Sequence, residues 1–130
     1  MFCEIVAGRV PAFVVYEDSD TLAFLDRAPL MAGHVLVVPR AHIETLEDLE
    51  NVEPLFSEVQ RIARAVENAL EADGTFVAVN NKVSQSVPHL HVHVVPRKKG
   101  DGLRGFFWPR QKYESDQERS EYAARIAKSR

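Results

Sequence analysis

Three histidines occur at two-residue spacing in residues 89–95, which read His-Leu-His-Val-His-Val-Val. Side chains on a β-strand alternate between faces and rise about 3.3 Å per residue, so His89, His91 and His93 should share one face at intervals of roughly 6.6 Å. Imidazoles titrate at about pH 6.5, so these side chains can donate, accept or attack near neutral pH. The pattern therefore predicts a strand over residues 89–95 that carries chemistry on one face.

Metal coordination is the first alternative for this run of histidines. Three histidines hold the catalytic zinc ion in some enzymes. However, rings that span roughly 13 Å along a strand cannot all reach one ion. We therefore expect no bound metal, and a zinc enzyme with histidine ligands stays open as an alternative.

The composition is that of one compact cytoplasmic domain. The chain has 130 residues, of which 45% are apolar and 27% are charged, and this suits a single packed core. The single cysteine, Cys3, excludes an internal disulfide, and the first residues lack the pattern of a secretory signal. No apolar run approaches the roughly 18 to 20 residues of a membrane span. The net charge of −3 argues against a general nucleic-acid-binding role, so we expect a cytoplasmic protein without a membrane partner.

Positive charge is concentrated directly after the histidines. Residues 97–113 contain six basic residues and one acidic residue, a local charge of +5, so the rest of the chain carries −8. Such a segment could attract phosphate groups to the histidine face, although a solvated basic loop would have the same composition.

The remaining pattern predicts strands on both sides of one long helix. Segments 13–17, 21–26, 34–38 and 75–80 have strand character and are separated by turn residues. Between residues 51 and 73 apolar side chains recur every three or four positions, which predicts an amphipathic helix with Pro54 in its first turn and Gly74 as its left-handed cap. Strands interrupted by one helix indicate an α+β fold. The charged segment 115–128 should form a short surface helix or a frayed end.

Two segments of the chain are nearly identical. Residues 34–40 and 91–97 match at six of seven positions, and Leu36 stands where the second segment has His93. Both should therefore be strands of one length that end at a proline, which cannot donate to a ladder. If the two strands pair in one sheet, His34 comes close to the histidine face.

These residues resemble the histidine triad (HIT) superfamily of nucleotide hydrolases and transferases. Its pattern, His-φ-His-φ-His-φ-φ with φ apolar, fits residues 89–95 at every position. Segments 5–12, 15–18, 22–26, 33–39 and 85–87 are also similar to the family's segments, in the same order, and the resemblance covers residues 2–108. It implies an antiparallel sheet of about five strands with one long helix, commonly paired as a homodimer. We place the HIT domain at residues 1–110 and a C-terminal extension at 111–130.

The resemblance also implies a reaction and a role for each residue of the site. The protein would hydrolyse a purine nucleotide at the α-phosphate through a covalent nucleotidyl-histidine, and it would need no cofactor. His91 would be the nucleophile and His93 would serve the leaving group. The other two rings, His89 and His34, would fix tautomers and orientations. Asp26 would accept the ribose hydroxyls. The apolar walls of the base pocket would be formed by Phe2, Ile5 and Phe24. The polar loop that holds the α-phosphate would contain Asn80, Gln85 and Ser86.

The sequence departs from the family in the polar loop and near the first residues. The loop over residues 80–85 is about two residues shorter than expected and lacks the usual glycines. Many bacterial relatives bind zinc with two cysteines and two histidines. Here Cys3, His42 and His89 give at most three ligands, which is fewer than the four of a structural zinc site, so we expect no metal at this position either.

The leaving group stays open among three substrate classes. Dinucleoside polyphosphates, nucleoside phosphoramidates and adenylated nucleic-acid ends would each present an α-phosphate to His91, and nucleic acid is expected as a partner only in the last form. His93 favours hydrolysis over transfer, because transferase relatives tend to carry Gln at that position. A nucleotide-binding protein without catalytic activity is the other alternative.

Overall fold

The computed structural model describes residues 1–104 and 108–130, and over these residues the chain forms a five-stranded sheet and three α-helices. In chain order the elements are α1 (Phe2–Val6), β1 (Val14–Glu17), β2 (Thr21–Leu25), β3 (Val35–Pro39), a 3-10 turn (Leu46–Asp48), α2 (Glu53–Leu70), β4 (Gly74–Ala78), β5 (Val92–Arg97) and α3 (Asp116–Ser129). The strand order is β1-β2-β3-β5-β4, and every neighbouring pair is antiparallel. The predicted α+β fold with a five-stranded antiparallel sheet is confirmed.

The two faces of the sheet are covered by different elements. One face packs against the apolar stripe of α2, because residues three and four positions apart share one side of a helix. This core contains Leu55, Val59, Ile62 and Val66 of α2 together with Ala23, Val35, Val37, Leu90, Val92 and Val94. The opposite face carries Leu22, Phe24, Leu36 and Val38 and is covered by Phe2 of α1. His93 lies opposite Leu36 in the β3–β5 ladder, so its side chain belongs to this second face.

The strand that carries the histidines begins later than the sequence predicted. We expected residues 89–95, whereas β5 starts at Val92 and continues to Arg97. The reason is that the backbone before Val92 bonds elsewhere: the Leu90 N–H donates to the Ile43 carbonyl, and the His89 N–H closes a tight turn onto Val87. The alternation of faces nevertheless continues backwards from β5, since Leu90 and Val92 are both buried in the α2 core.

The long helix is shorter than predicted and ends on a different residue. It spans Glu53–Leu70 instead of 51–73, and Pro54 lies in its first turn as expected. The left-handed residue after the helix is Glu71, with φ of 51°, so the prediction of Gly74 as the cap is wrong. Gly74 instead begins β4, because the Asp73 N–H already donates to the Arg97 carbonyl and draws the chain into the sheet.

The other predicted elements agree with the structure to within two residues. Segments 34–40 and 91–97 contain the neighbouring strands β3 and β5, as their similarity indicated. The charged segment near the C-terminus is a helix, capped by the Ser115 hydroxyl, which accepts the Glu118 N–H at 3.1 Å. The first helix, α1, was not predicted. Within the described residues, no helix has both the length and the apolar character that crossing a membrane requires.

Candidate nucleotide site

A cavity of about 520 Å³ lies between α1 and the histidine face of the sheet. Its volume falls within the usual range for small-molecule sites. Seven of the residues singled out in the sequence line it: Phe2, Ile5, Phe24, Asp26, Ser86, His91 and His93. His89 and His34 lie behind this wall and contact the histidines that line it.

His91 is held in one tautomer by the backbone. Its ring is 5% exposed, and its Nδ1 lies 2.7 Å from the carbonyl oxygen of His89. A carbonyl oxygen can only accept, so Nδ1 carries the proton and donates it. The lone pair of the neutral ring is therefore on Nε2. Because Phe2 packs edge-on against the ring, with centroids 4.9 Å apart, the imidazole is also fixed in orientation.

His93 is joined to His34 across the two central strands. The Nε2 of His34 lies 3.0 Å from the Nδ1 of His93, and Asp26 Oδ2 lies 3.6 Å from the same His34 nitrogen. Burial lowers the pKa of His34, and it lowers the pKa of His93 to about 4, with the neighbouring His91 and His34 adding to the effect. Both rings are therefore neutral near pH 7 and act as hydrogen-bond donors and acceptors instead of as cations.

His89 contacts both His91, the candidate nucleophile, and a second cluster that contains Cys3 and His42. Its Nε2 donates to the Pro39 carbonyl at 2.9 Å, which leaves the lone pair on Nδ1. This Nδ1 lies 3.5 Å from the sulfur of Cys3, and the Nδ1 of His42 lies 3.2 Å from the same sulfur. Burial is the main cause of a lowered pKa at His89. All three of these ligand atoms lie within 4.8 Å of one another.

The geometry of Cys3, His42 and His89 fits a zinc ion. Zn–S and Zn–N bonds of about 2.3 and 2.0 Å at tetrahedral angles place sulfur and nitrogen roughly 3.5 Å apart, close to the separations found here. A histidine that ligates zinc commonly donates its other ring N–H to a carbonyl, as His89 does to Pro39. When bound, such an ion would cross-link α1 to the segments that carry the two histidines. Among the described residues this cluster offers three of the four ligands of a closed site. Its geometry speaks for a metal ion, whereas the expectation of none stays a prediction that added zinc can test.

A second group of possible ligands, Asp26, His34 and His93, is arranged differently. Both ring nitrogens of His34 are already engaged, since Nδ1 accepts the Leu30 N–H at 3.1 Å and Nε2 faces His93. The Oδ1 of Asp26 accepts the Ala28 N–H at 2.9 Å. A cation would have to displace these hydrogen bonds, so this group is better described as a hydrogen-bonded unit.

The polar loop differs most from the sequence-based prediction. Of the three residues assigned to the α-phosphate, Ser86 lines the cavity, whereas Asn80 and Gln85 are not among its lining residues. The side-chain amide of Gln85 donates to the Glu44 carbonyl and accepts the Lys82 N–H, so both of its polar atoms serve the loop itself. The physical reason is the short loop, which is tied back onto residues 44–47 and has left-handed backbone at Lys82 and Ser84, with φ of 70° and 61°.

None of the six basic residues of segment 97–113, all of which are described, is among the residues that line the cavity. Arg97 lies four residues beyond His93, roughly 13 Å along β5, and its guanidinium donates to both carboxylate oxygens of Asp101. Conversely, the lining residues that the sequence analysis missed include Phe13 and Arg27. Arg27 directly follows the predicted ribose ligand Asp26, and this adjacency was the available signal.

Comparison with known proteins assigns the family. The model of the HIT domain matches residues 7–100. The chain is 43% identical over 113 residues to Protein hit of Bacillus subtilis, which covers 83% of this chain and 77% of that protein. A solved structure from Streptococcus mutans is similar over 99% of this chain and 83% of that one, with a TM-score of 0.91 and 36% identity. The chain therefore belongs to the HIT family, which confirms the resemblance seen in the sequence.

The names of two further relatives state an enzymatic activity or a bound metal. The adenosine 5'-monophosphoramidase of Candida albicans is 31% identical over 124 residues, which cover 89% of this chain and 82% of that protein. The solved structure of a zinc-bound histidine triad family protein from Mycobacterium smegmatis covers 99% of this chain and 96% of its own, with a TM-score of 0.75 and 38% identity. Hydrolase names and a zinc-bound form therefore both occur within this family.

Proposed function

We propose that this protein is a hydrolase that cleaves a purine nucleotide at the α-phosphate through a covalent intermediate on His91. The observation that carries the proposal is the hydrogen bond from His91 Nδ1 to the His89 carbonyl, because it leaves the Nε2 lone pair for a bound phosphate. A neutral imidazole is a competent nucleophile, and a covalent intermediate replaces one difficult displacement by two easier ones.

In the first step, His91 Nε2 forms a bond to the α-phosphorus while the bond from phosphorus to the leaving group breaks. His93 donates a hydrogen bond from its ring N–H to the departing oxygen or nitrogen, which stabilises the negative charge that develops there, and the leaving group takes its proton from solvent. The centroids of the two rings are 5.0 Å apart, close enough for one to attack and for the other to reach the leaving atom. In the second step, water attacks phosphorus and releases a proton to solvent as the P–N bond breaks, which restores the neutral His91 ring.

The lining of the cavity supports a nucleoside monophosphate unit as the bound group. Phe2, Ile5 and Phe24 form an apolar wall that suits a purine base. Asp26 has one carboxylate oxygen bonded to the Ala28 N–H, which leaves its Oδ2 as the acceptor that we assign to the ribose hydroxyls. Ser86 supplies a hydroxyl for the phosphate. We assign these roles to the residues as part of the proposal.

A small leaving group is favoured over a polyphosphate. The argument for a polyphosphate was the basic segment, but none of its six basic residues lines the cavity, and Arg97 is paired with Asp101 at the far end of β5. A relative named for its phosphoramidase activity points in the same direction. We therefore propose nucleoside phosphoramidates as the first substrate class to examine, with dinucleoside polyphosphates as the second.

The test of the proposal is detection of the intermediate. Protein mixed with adenosine 5'-phosphoramidate should, after acid-free quenching, show an intact mass increased by one AMP moiety. Peptide mapping should place this group on His91. His91→Ala should form no adduct and lose turnover by several orders of magnitude, while it still binds AMP. If the wild-type protein binds AMP but neither forms the adduct nor turns over any substrate of the two classes, the protein is a nucleotide-binding protein without this activity.

We further propose that two copies pair through β4 to form a homodimer, in a reducing compartment such as the cytoplasm, which suits the free thiol of Cys3. The sheet has two edges. The β1 edge carries a register shift between Val14 and Tyr16, and such irregularities disfavour further pairing. The β4 edge pairs regularly with β5 over five residues and has Val77 43% exposed, so it can accept a second β4 around a twofold axis.

A further inference from the structure

The hydrogen bond between the backbone of Leu30 and the ring of His34 has consequences for the leaving group. A backbone N–H can only donate, so the His34 Nδ1 that lies 3.1 Å from the Leu30 nitrogen must accept. His34 is 2% exposed, and burial lowers its pKa, so the ring is neutral and carries a single proton. That proton is therefore on Nε2.

Among the described residues, the Nε2 proton of His34 has one acceptor within hydrogen-bond distance. His93 Nδ1 lies at 3.0 Å, whereas Asp26 Oδ2 lies at 3.6 Å, beyond the usual limit for such a bond. His93 Nδ1 therefore accepts, and the proton of the neutral His93 ring is on Nε2. This nitrogen is on the side of the ring away from His34, and His93 lines the cavity. The neutral His93 ring thus presents a hydrogen-bond donor to the cavity.

The opposite arrangement would remove this donor. If Nδ1 of His34 carried the proton, His34 Nε2 would accept from His93 Nδ1, and His93 would present a lone pair to the leaving group. The two arrangements use the same side chains and the same distances. What distinguishes them is the hydrogen-bonding group that faces His34 Nδ1.

We infer that the Leu30 backbone N–H is a positioning group that sets the direction of the Leu30–His34–His93 hydrogen bonds and so makes His93 a hydrogen-bond donor to the leaving group. The inference rests on the proposed function for its catalytic meaning. The donor is well held, because the Asp26 N–H donates to the His34 carbonyl at 2.8 Å and the His34 N–H donates to the Met31 carbonyl at 3.0 Å. The Leu30 side chain is 60% exposed, so the contribution of this residue comes mainly from its backbone.

The matched pair Leu30→Pro and Leu30→Ala separates the backbone donor from the side chain. Proline has no N–H, whereas alanine keeps the N–H and removes the side chain. Each variant is compared with the wild type on adenosine 5'-phosphate derivatives whose leaving groups differ in pKa. Leu30→Ala should behave as the wild type does. Leu30→Pro should slow the release of an alkylamine by about 10²-fold or more and that of 4-nitrophenol by less than about 3-fold, because only the poor leaving group depends on the hydrogen bond that stabilises the charge developing on it. An equal loss on both substrates would mean a structural role and would overturn the inference.

A second measurement does not depend on the folding of Leu30→Pro or on turnover. Nitrogen chemical shifts of the wild-type protein with ¹⁵N-labelled histidine report which ring nitrogen bears each proton. We expect protons on Nε2 of His34 and His93 and on Nδ1 of His91. We also expect a coupling across the hydrogen bond from the Leu30 N–H to His34 Nδ1. A proton on Nδ1 of His34 or His93 refutes the inference whatever the kinetics show. If the expected tautomers are present but no AMP adduct forms, the proposed function fails and the tautomer assignment stands.

Discussion

The stability of the folded protein should fall as the pH is lowered from neutral, and His93 should account for a defined part of the loss. Burial, together with the nearby His91 and His34, lowers the pKa of His93 from 6.5 to about 4, against a smaller opposing effect of Asp26. Between these two pH values the unfolded chain binds a proton at this residue and the folded chain does not. Proton uptake by the unfolded chain therefore lowers the free energy of unfolding progressively as the pH falls from about 6.5 towards 4, and it has little effect above that range.

The magnitude follows from the two pKa values. Each unit of pKa difference corresponds to about 1.4 kcal/mol, so the full effect of His93 is about 3 kcal/mol, of which about 2 kcal/mol is lost by pH 5. The lowered pKa values of His34 and His89 act in the same direction. A loss of this size is a large fraction of the stability of an ordinary domain.

Urea unfolding of the wild type and of His93→Gln, each at about pH 7.5 and pH 5.0, measures this loss. Glutamine keeps a polar side chain but cannot take up the proton. We expect the free energy of unfolding of the wild type to fall by about 2 kcal/mol more than that of His93→Gln. Parallel losses in the two proteins, with unchanged urea slopes, would show that His93 is not the group responsible. A wild type that becomes more stable at pH 5 would contradict the sign of the argument.

Three further predictions concern the ribose, the metal ligands and the sheet edge. Asp26→Asn should raise KM for adenosine substrates by about 10-fold with little change in kcat, and the difference should shrink for 2',3'-dideoxy analogues, because a carboxylate accepts hydroxyl protons better than an amide does. Added zinc should raise the thermal midpoint of the wild type but not that of Cys3→Ser, and the absence of a shift in the wild type would argue against an ion at this cluster. Val77→Lys should convert a dimer into a monomer in light-scattering measurements, whereas the matched edge variant Val15→Lys should leave the mass unchanged; a dimer that survives Val77→Lys would exclude β4 as the interface.

The faces of the strands could be read from the sequence because alternation is a local property of an extended chain. His89, His91 and His93 were assigned to one face without knowledge of any partner. The assignment of these histidines to one face still holds, although β5 begins only at Val92. The pairing of His34 with the histidine face could also be predicted, because two nearly identical strands occupy neighbouring positions in the sheet.

Gln85 shows where this kind of prediction reaches its limit. Its amide was assigned to a phosphate by its position in the motif, but it bonds to Glu44 and Lys82. A side chain with both a donor and an acceptor can serve a ligand or the backbone equally well, and the length of the loop decides between them. Only the path of the folded chain supplies that information.

Sequence alone thus determined the family, the order of the elements and the face on which the three histidines lie. Tertiary structure decided which nitrogen carries the proton in His89, His93 and His34, because the deciding groups come from distant or unremarked positions: Pro39 for His89, His34 for His93, and a loop N–H for His34. The physical reason is one of range. Periodicity acts over a few residues, whereas the polarity of a hydrogen bond depends on whatever the fold places about 3 Å away.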